Sequence, residues 1–369
     1  LFVFVCAGCG ADLTTPLSQV ALPPHAHQRH GNATQLPVLM ERGTFAVDPE
    51  PWGPPWRRWE EIGPEEAAAR GVHAPVHSVS YGAPGATVVA PADTRGTVLI
   101  PERSGSQCCG LTGADGPNTA CETCGLLVAT RTDDCSLWQA VWLAPHAVRR
   151  RLVDDADAVP LSWTELTAEG ESTPPLQPIA TWGGGPGLNH YWSWSPRWEA
   201  AAGQALAHLL AASEGHPVTV PDGLTAQLFR RALDTLLPPG PPPRHATLAG
   251  PAHPASGTRT ADILLVPTHP QTGTSWTPTT PAPSTHLVPL PFGIWRWLAS
   301  PRPHLPTPTS GTLPTEVLRD DPPPPHPGHL FRPDWRVFAL TVTRLPAART
   351  HWLRAVLDNL TPDTRARLF

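Results

Sequence analysis

The sequence predicts an α+β fold, with a mostly β portion to about residue 150 followed by a mixed portion. Three observations carry that expectation. Two Cys-x-x-Cys-Gly segments stand at Cys6–Gly10 and Cys121–Gly125, the first preceded and the second followed by a short apolar run. Two stretches between residues 195 and 237 repeat apolar side chains every three to four positions, the period of a buried helix face. Proline, at 50 of 369 residues, is too abundant for long regular elements over much of the rest.

In chain order, Leu1–Val5 reads as the strand entering the first cysteine pair. Pro51–Trp59 interleaves three tryptophans with prolines. Gly63–Arg70 offers a short helix with Glu65 and Glu66 in its first turn, where the helix dipole favours acids. Ala86–Ala90 and Thr97–Ile100 have the β-branched content of strands on either side of a turn, and Leu126–Thr130 is the strand leaving the second pair. Residues 160–195 look irregular and contain the glycine run Gly183–Gly187.

Ser195 is placed to cap a helix with Pro196 in its first turn, and Trp198, Ala202, Ala205, Leu206, Leu209 and Leu210 share one face. A second helix starts near Asp222 and repeats Leu224, Leu228, Phe229, Ala232, Leu233, Leu236 and Leu237. The short connection predicts an antiparallel helical hairpin over about 195–237. Residues 238–325 read as a proline-rich linker and wrap. Its connector is Pro238–Gly257, Ile263–Val266 is a buried strand, and Phe292, Ile294, Trp295, Trp297 and Leu298 are anchors on a core. The chain is expected to close with a strand, Val337–Thr343, and a helix, Pro346–Leu360. These features divide it into a portion 1–150, with an insertion between the cysteine pairs, and a portion 151–369.

Two thiols two residues apart can grip one metal ion, and the following glycine lets the backbone turn so that amides face the sulfurs. Cys6, Cys9, Cys121 and Cys124 therefore supply the four ligands of a closed tetrahedral Zn2+ site. These knuckles resemble those of zinc ribbons over about ten residues. The resemblance implies two hairpins meeting at a metal, here split by an inserted segment, and says nothing of the remaining chain. A second assignment uses local ligands. Cys108 or Cys109 joins Cys121, Cys124 and Cys135 in one site, and Cys6 and Cys9 join two of His25, His27 and His30 in another. Both assignments stay open on sequence. In either, a closed site has no open position with which to activate water, so the metal is a determinant of folding.

Composition narrows the function. Net charge is −5 and every basic residue is arginine, so the broad basic footprint of a general nucleic-acid binder is missing. A protein partner is expected instead. No stretch approaches the roughly 18–20 apolar residues of a membrane span, and Leu1–Val5 is too short for a signal core. Seven cysteines, mostly in Cys-x-x-Cys spacing, point to metal ligation in a reducing, cytoplasmic compartment.

Other candidates are weaker. Cys135 stands where a helix could begin, which favours a thiolate nucleophile, but Asp133 and Asp134 oppose ionisation, and a ligand or core role is expected. Gly183–Gly187 lacks the Gly-Lys-Ser/Thr of a phosphate loop. Arg149–Arg151 beside Asp154, Asp155 and Asp157 reads as a solvated charge run, the three aspartates as an exposed turn, and His326 and His329 as incidental to a proline-rich loop. Tryptophan clusters with Arg57, Arg58, Arg197 and Arg296 permit stacking on unpaired bases, although core packing is the commoner use.

The expectation is a zinc-binding interaction protein without catalytic machinery. Two alternatives stand beside it: an enzyme using the region 182–194 or Cys135, and a single-stranded nucleic-acid binder.

Overall fold

The structure is a computed structural model that describes residues 1–31, 33–103, 110–153, 159–182, 188–240, 242–253, 261–279, 284–301 and 329–369. It contains both helices and sheets, as an α+β chain should. The N-terminal sheet has seven strands in the order Ser18–Gln19, Thr44–Asp48, Ala86–Val89, Ala140–Leu143, Leu127–Thr132, Thr119–Cys121 and Thr97–Leu99. The two runs Ala86–Val89 and Thr97–Leu99 thus share a sheet but not a ladder. The first strand, Phe2–Cys6, pairs antiparallel with Val148–Leu152 and lays Phe4 edge-on against Phe45 at 5.0 Å. Leu13, Leu17, Val89, Val128 and Leu143 close a core around them. Short β-branched strands hold here because one face of each is removed from water.

Helix α1, Trp59–Ala69, is two pieces joined at Gly63, whose φ of 74° breaks the ladder; the second piece is the short acidic helix expected from Gly63 onward. Residues 160–195 are more regular than their composition predicts. Ser162 and Glu165 form a reciprocal capping box at the start of α2, Trp163–Glu169. Leu176–Trp182 and Leu188–Trp194 pair as an antiparallel hairpin, with Thr34–Gln35 added at its edge. The Gly183–Gly187 run lies outside the described residues.

Helix α3, Pro196–Ser213, begins at Ser195 as expected, though the Ser195 hydroxyl donates to Gln177 rather than capping the helix. Helix α4, Leu224–Leu236, also stands where its period placed it. The expected hairpin is the wrong relation between them. The connection contains a strand, Val218–Thr219, and α4 is the crossover to a parallel strand, Arg244–Leu248. Ile263–Thr268 and His286–Pro291 extend this into a four-stranded, wholly parallel sheet. Part of the expected linker is therefore an inner strand. Helix α5, Phe292–Ala299, buries Phe292, Ile294, Trp295 and Leu298, so the expected anchors do sit on a core.

The segment 337–343, expected as a strand, is helical. Helix α6 spans Trp335–Arg344, and Asp334 caps it by accepting from the Val337 amide at 2.8 Å. Its valines and threonines favour a strand in isolation, but Phe338, Val342 and Leu345 recur at helical spacing and pack on the core that holds α3. Thr341 and Thr343 turn their hydroxyls back onto the carbonyls of Val337 and Ala339, which satisfies them within the helix. The expected terminal helix is broken at Thr350. A single 3-10 turn, Pro346–Arg349, precedes α7, His351–Asp358, and Pro362 opens a further helix, α8, Pro362–Leu368. The second core, centred on Trp198, Phe229, Phe338 and Trp295, lies between the parallel sheet and these helices.

Candidate metal centre

Cys6 ends the strand Phe2–Cys6, and Cys121 ends the strand Thr119–Cys121; both are buried. The chain turns identically after each. The Cys6 amide donates to Ala11 and the Gly10 amide donates back to Cys6, at 2.8 and 2.9 Å. The Cys121 amide donates to Leu126 and the Gly125 amide to Cys121, again at 2.8 and 2.9 Å. Gly10 and Gly125 carry φ of 80° and 72°, a conformation that side chains rarely adopt. Each turn thus brings its second cysteine, Cys9 or Cys124, back beside the first at an exposed edge.

The two turns meet. Cys6 Sγ lies 3.6 Å from Cys124 Sγ and Cys9 Sγ lies 3.6 Å from Cys121 Sγ, and all four sulfurs fall within 4.8 Å of one another. A disulfide would hold its sulfurs at about 2.05 Å. Four thiolates around one ion at about 2.3 Å would stand roughly 3.8 Å apart, close to the observed spacing. These four residues can hold a metal ion. Burial pushes the Cys121 thiol up, but the amides of Cys124 and Thr123 and the neighbouring Cys9 and Cys6 sulfurs bring it down to about 7. The Leu126 amide works to lower the Cys124 thiol, yet sharing a proton with Cys6 and Cys9 pushes it up to about 12. Negative charge crowded on adjacent sulfurs is what a cation would relieve.

Comparison with protein-family models, curated proteins and solved structures gives no match. The arrangement of side chains is therefore what bears on function.

Among the described residues the alternative ligand sets are not brought together. Cys108 and Cys109 lie outside the described residues. Cys135 is buried in a turn, with no helix beginning there, so the basis for a helix-terminal thiolate is lost. His25 is buried 4.4 Å from the Trp138 ring, and its Nε2 has no hydrogen-bond partner. His27 bonds to Asp48 at 2.7 Å between the rings of Trp52 and Trp142. His30 lies 3.5 Å from Glu199. Among the described residues the four-sulfur group is the sole cluster of metal-ligating side chains.

Arg151 pairs with Asp12 at 2.6 Å, while Asp154, Asp155 and Asp157 lie outside the described residues, as does His326. His329 is exposed. Trp194, Trp198 and Trp295 are buried, with indole N–H groups donating to the backbone of His329, Thr173 and Leu265. No described helix is long and apolar enough to cross a membrane.

The sequence reading missed the His27–Asp48 pair, which joins residues 21 apart with no shared motif. It also missed Gln204 and His208. Polar residues four apart on an otherwise alanine- and leucine-rich helix were the signal available for them.

Proposed function

We propose that this chain is a zinc-stapled interaction protein, in which Cys6, Cys9, Cys121 and Cys124 hold one Zn2+ as a split, ribbon-like site whose role is structural. The observation that carries the reading is the meeting of two matched turns, 112 residues apart at Cys9 and Cys121, with sulfur spacings close to those of a tetrahedral four-thiolate shell. The described cysteines are all free, which suits a reducing, cytoplasmic setting.

Support for a protein partner comes from the surface beside the site. The strand Thr97–Leu99 ends the seven-stranded sheet and sets Thr97 opposite Cys121. Val98, Leu99 and Leu126 are exposed next to it. An open strand edge with apolar side chains is a surface on which another chain can pair.

Metal analysis of protein purified without added chelator is expected to give one zinc per chain, lost in Cys6→Ser and kept in Cys135→Ser. Iron in place of zinc, or no metal at all, would overturn the zinc reading, since four thiolates also suit iron.

A further inference from the structure

Away from the cysteines, a cleft of about 330 Å³ opens where the N-terminal portion meets α3 and α6. One wall is Leu22, Pro23 and Ala26, and the other is Val337, Leu340 and Leu345, with Trp52 at the side. That size lies in the range of small-ligand sites, roughly 300–1,000 Å³, and so does the character of apolar walls with few polar groups. The polar groups are what define its chemistry.

Asp48 is 2% exposed, and both its oxygens are already bonded: Oδ2 pairs with His27 Nε2 at 2.7 Å and Oδ1 accepts the Glu50 amide at 3.0 Å. The Glu50 carboxylate is met by Arg344. Arg336 holds the loop in place by donating to the His27 carbonyl at 3.0 Å. Each carboxylate that lines the cleft therefore already has a bonded partner within the protein.

What remains unpartnered is neutral. Helix α3 is buried on nearly all sides, and Gln204 and His208, one turn apart, are among the few half-exposed positions. Both line the cleft, and neither side chain has a hydrogen-bond partner among the described residues. Burial holds the His208 imidazole below its ordinary value, so it stays uncharged at neutral pH. A carboxamide and a neutral imidazole together offer donors and acceptors but no charge. Both are half-exposed, so their polar groups are open to a ligand that enters the cleft.

We propose that this cleft binds an uncharged small molecule with an apolar body and an amide-like donor–acceptor edge, read by Gln204 and His208. A charged ligand would have to displace the Glu50–Arg344 or His27–Asp48 contact to obtain a partner. This binding is independent of the metal and of the partner surface near Cys121.

The test uses two probes of equal shape, indole-3-acetamide and indole-3-acetate, titrated calorimetrically into the full chain. The amide is expected to bind, and the carboxylate at least about tenfold more weakly. Gln204→Leu and His208→Leu should each weaken the amide by about tenfold while leaving the melting temperature within a degree or two, because neither side chain has a protein partner to lose. Failure of the amide to bind at millimolar concentration would overturn the proposal. So would equal affinity for the two probes, or unchanged affinity in both variants.

Discussion

Glu199 and His25 belong to one buried polar layer, and each is held in its uncharged form near neutral pH. Burial, with the Asp334 carboxylate nearby, pushes Glu199 up to about 8; burial, with Arg197, brings His25 down to about 3. Around them Gln28 donates to Asp334 and to the Pro196 carbonyl and accepts from Trp138, so the layer ties the N-terminal portion to α3 and α6. The signs of the two groups differ. Glu199 binds a proton more tightly folded than unfolded, so its contribution is complete below about pH 4.5 and lost as pH rises through about 8. His25 binds one less tightly folded, so its contribution is complete above about 6.5 and lost as pH falls towards about 3. Between about pH 4.5 and 6.5 the two slopes oppose each other. Asp334, also raised by burial, acts with the sign of Glu199, and His30 and His208, both lowered by burial, with the sign of His25. Urea unfolding across pH is therefore expected to show a maximum in that window, with slopes of about 1.4 kcal/mol per pH unit for each titrating group outside it. Glu199→Gln should flatten the alkaline limb and leave the acid limb in place. An unchanged alkaline limb in that variant would place the titration elsewhere.

Helix α3 and helix α6 approach as closely as they do because residue 203 is glycine. A Cβ there would lie 2.5 Å from the Asp334 carbonyl oxygen and 3.2 Å from the Phe338 nitrogen, both backbone atoms of the facing segment. Gly203→Ala gains helix propensity of about 1 kcal/mol but must push the two elements apart, and overpacking of this kind costs about 1–3 kcal/mol. The balance is expected to be a loss of stability of up to about 2 kcal/mol, read by thermal or urea unfolding; a gain would mean that α6 can slide at little cost. This contact explains what was and was not legible in the sequence. Periodicity placed α3 and α4 because their stripes are long and local. It failed for α6, where β-branched residues set the local preference and packing on the α3 core reversed it. It failed also for Arg244–Leu248, hidden in a proline-rich stretch, because parallel pairing joins strands separated by a crossover and leaves no turn signature. The cysteine turns were legible because their chemistry needs a fixed local spacing. The Glu199–Asp334 layer and the cleft were not, since each joins residues from distant parts of the chain.

At the scale of the whole molecule, the four-cysteine group and the two largest cores are unequally linked. The core of Phe4, Phe45, Val128 and Leu143 includes Cys6 and Cys121 themselves, and the strands entering both turns belong to its walls. The core of Trp198, Phe229, Phe338 and Trp295 contains no residue of either turn. Structural zinc contributes on the order of 10 kcal/mol of apparent folding free energy, comparable to the whole stability of a typical domain. If Zn2+ fastens the ends of a segment longer than 100 residues, its removal should release the first core and spare the second. Hydrogen exchange before and after chelation is the measurement that separates these. Amides of Phe2–Cys6 and Leu127–Thr132 are expected to lose protection when metal is removed, while those of α3 and Ile263–Thr268 keep most of theirs. Uniform loss across both cores would mean that the buried layer at Gln28, Glu199 and Asp334 couples them into one cooperative unit. No loss in either would mean that the four sulfurs meet without stabilising the fold, and the zinc-staple reading would fail.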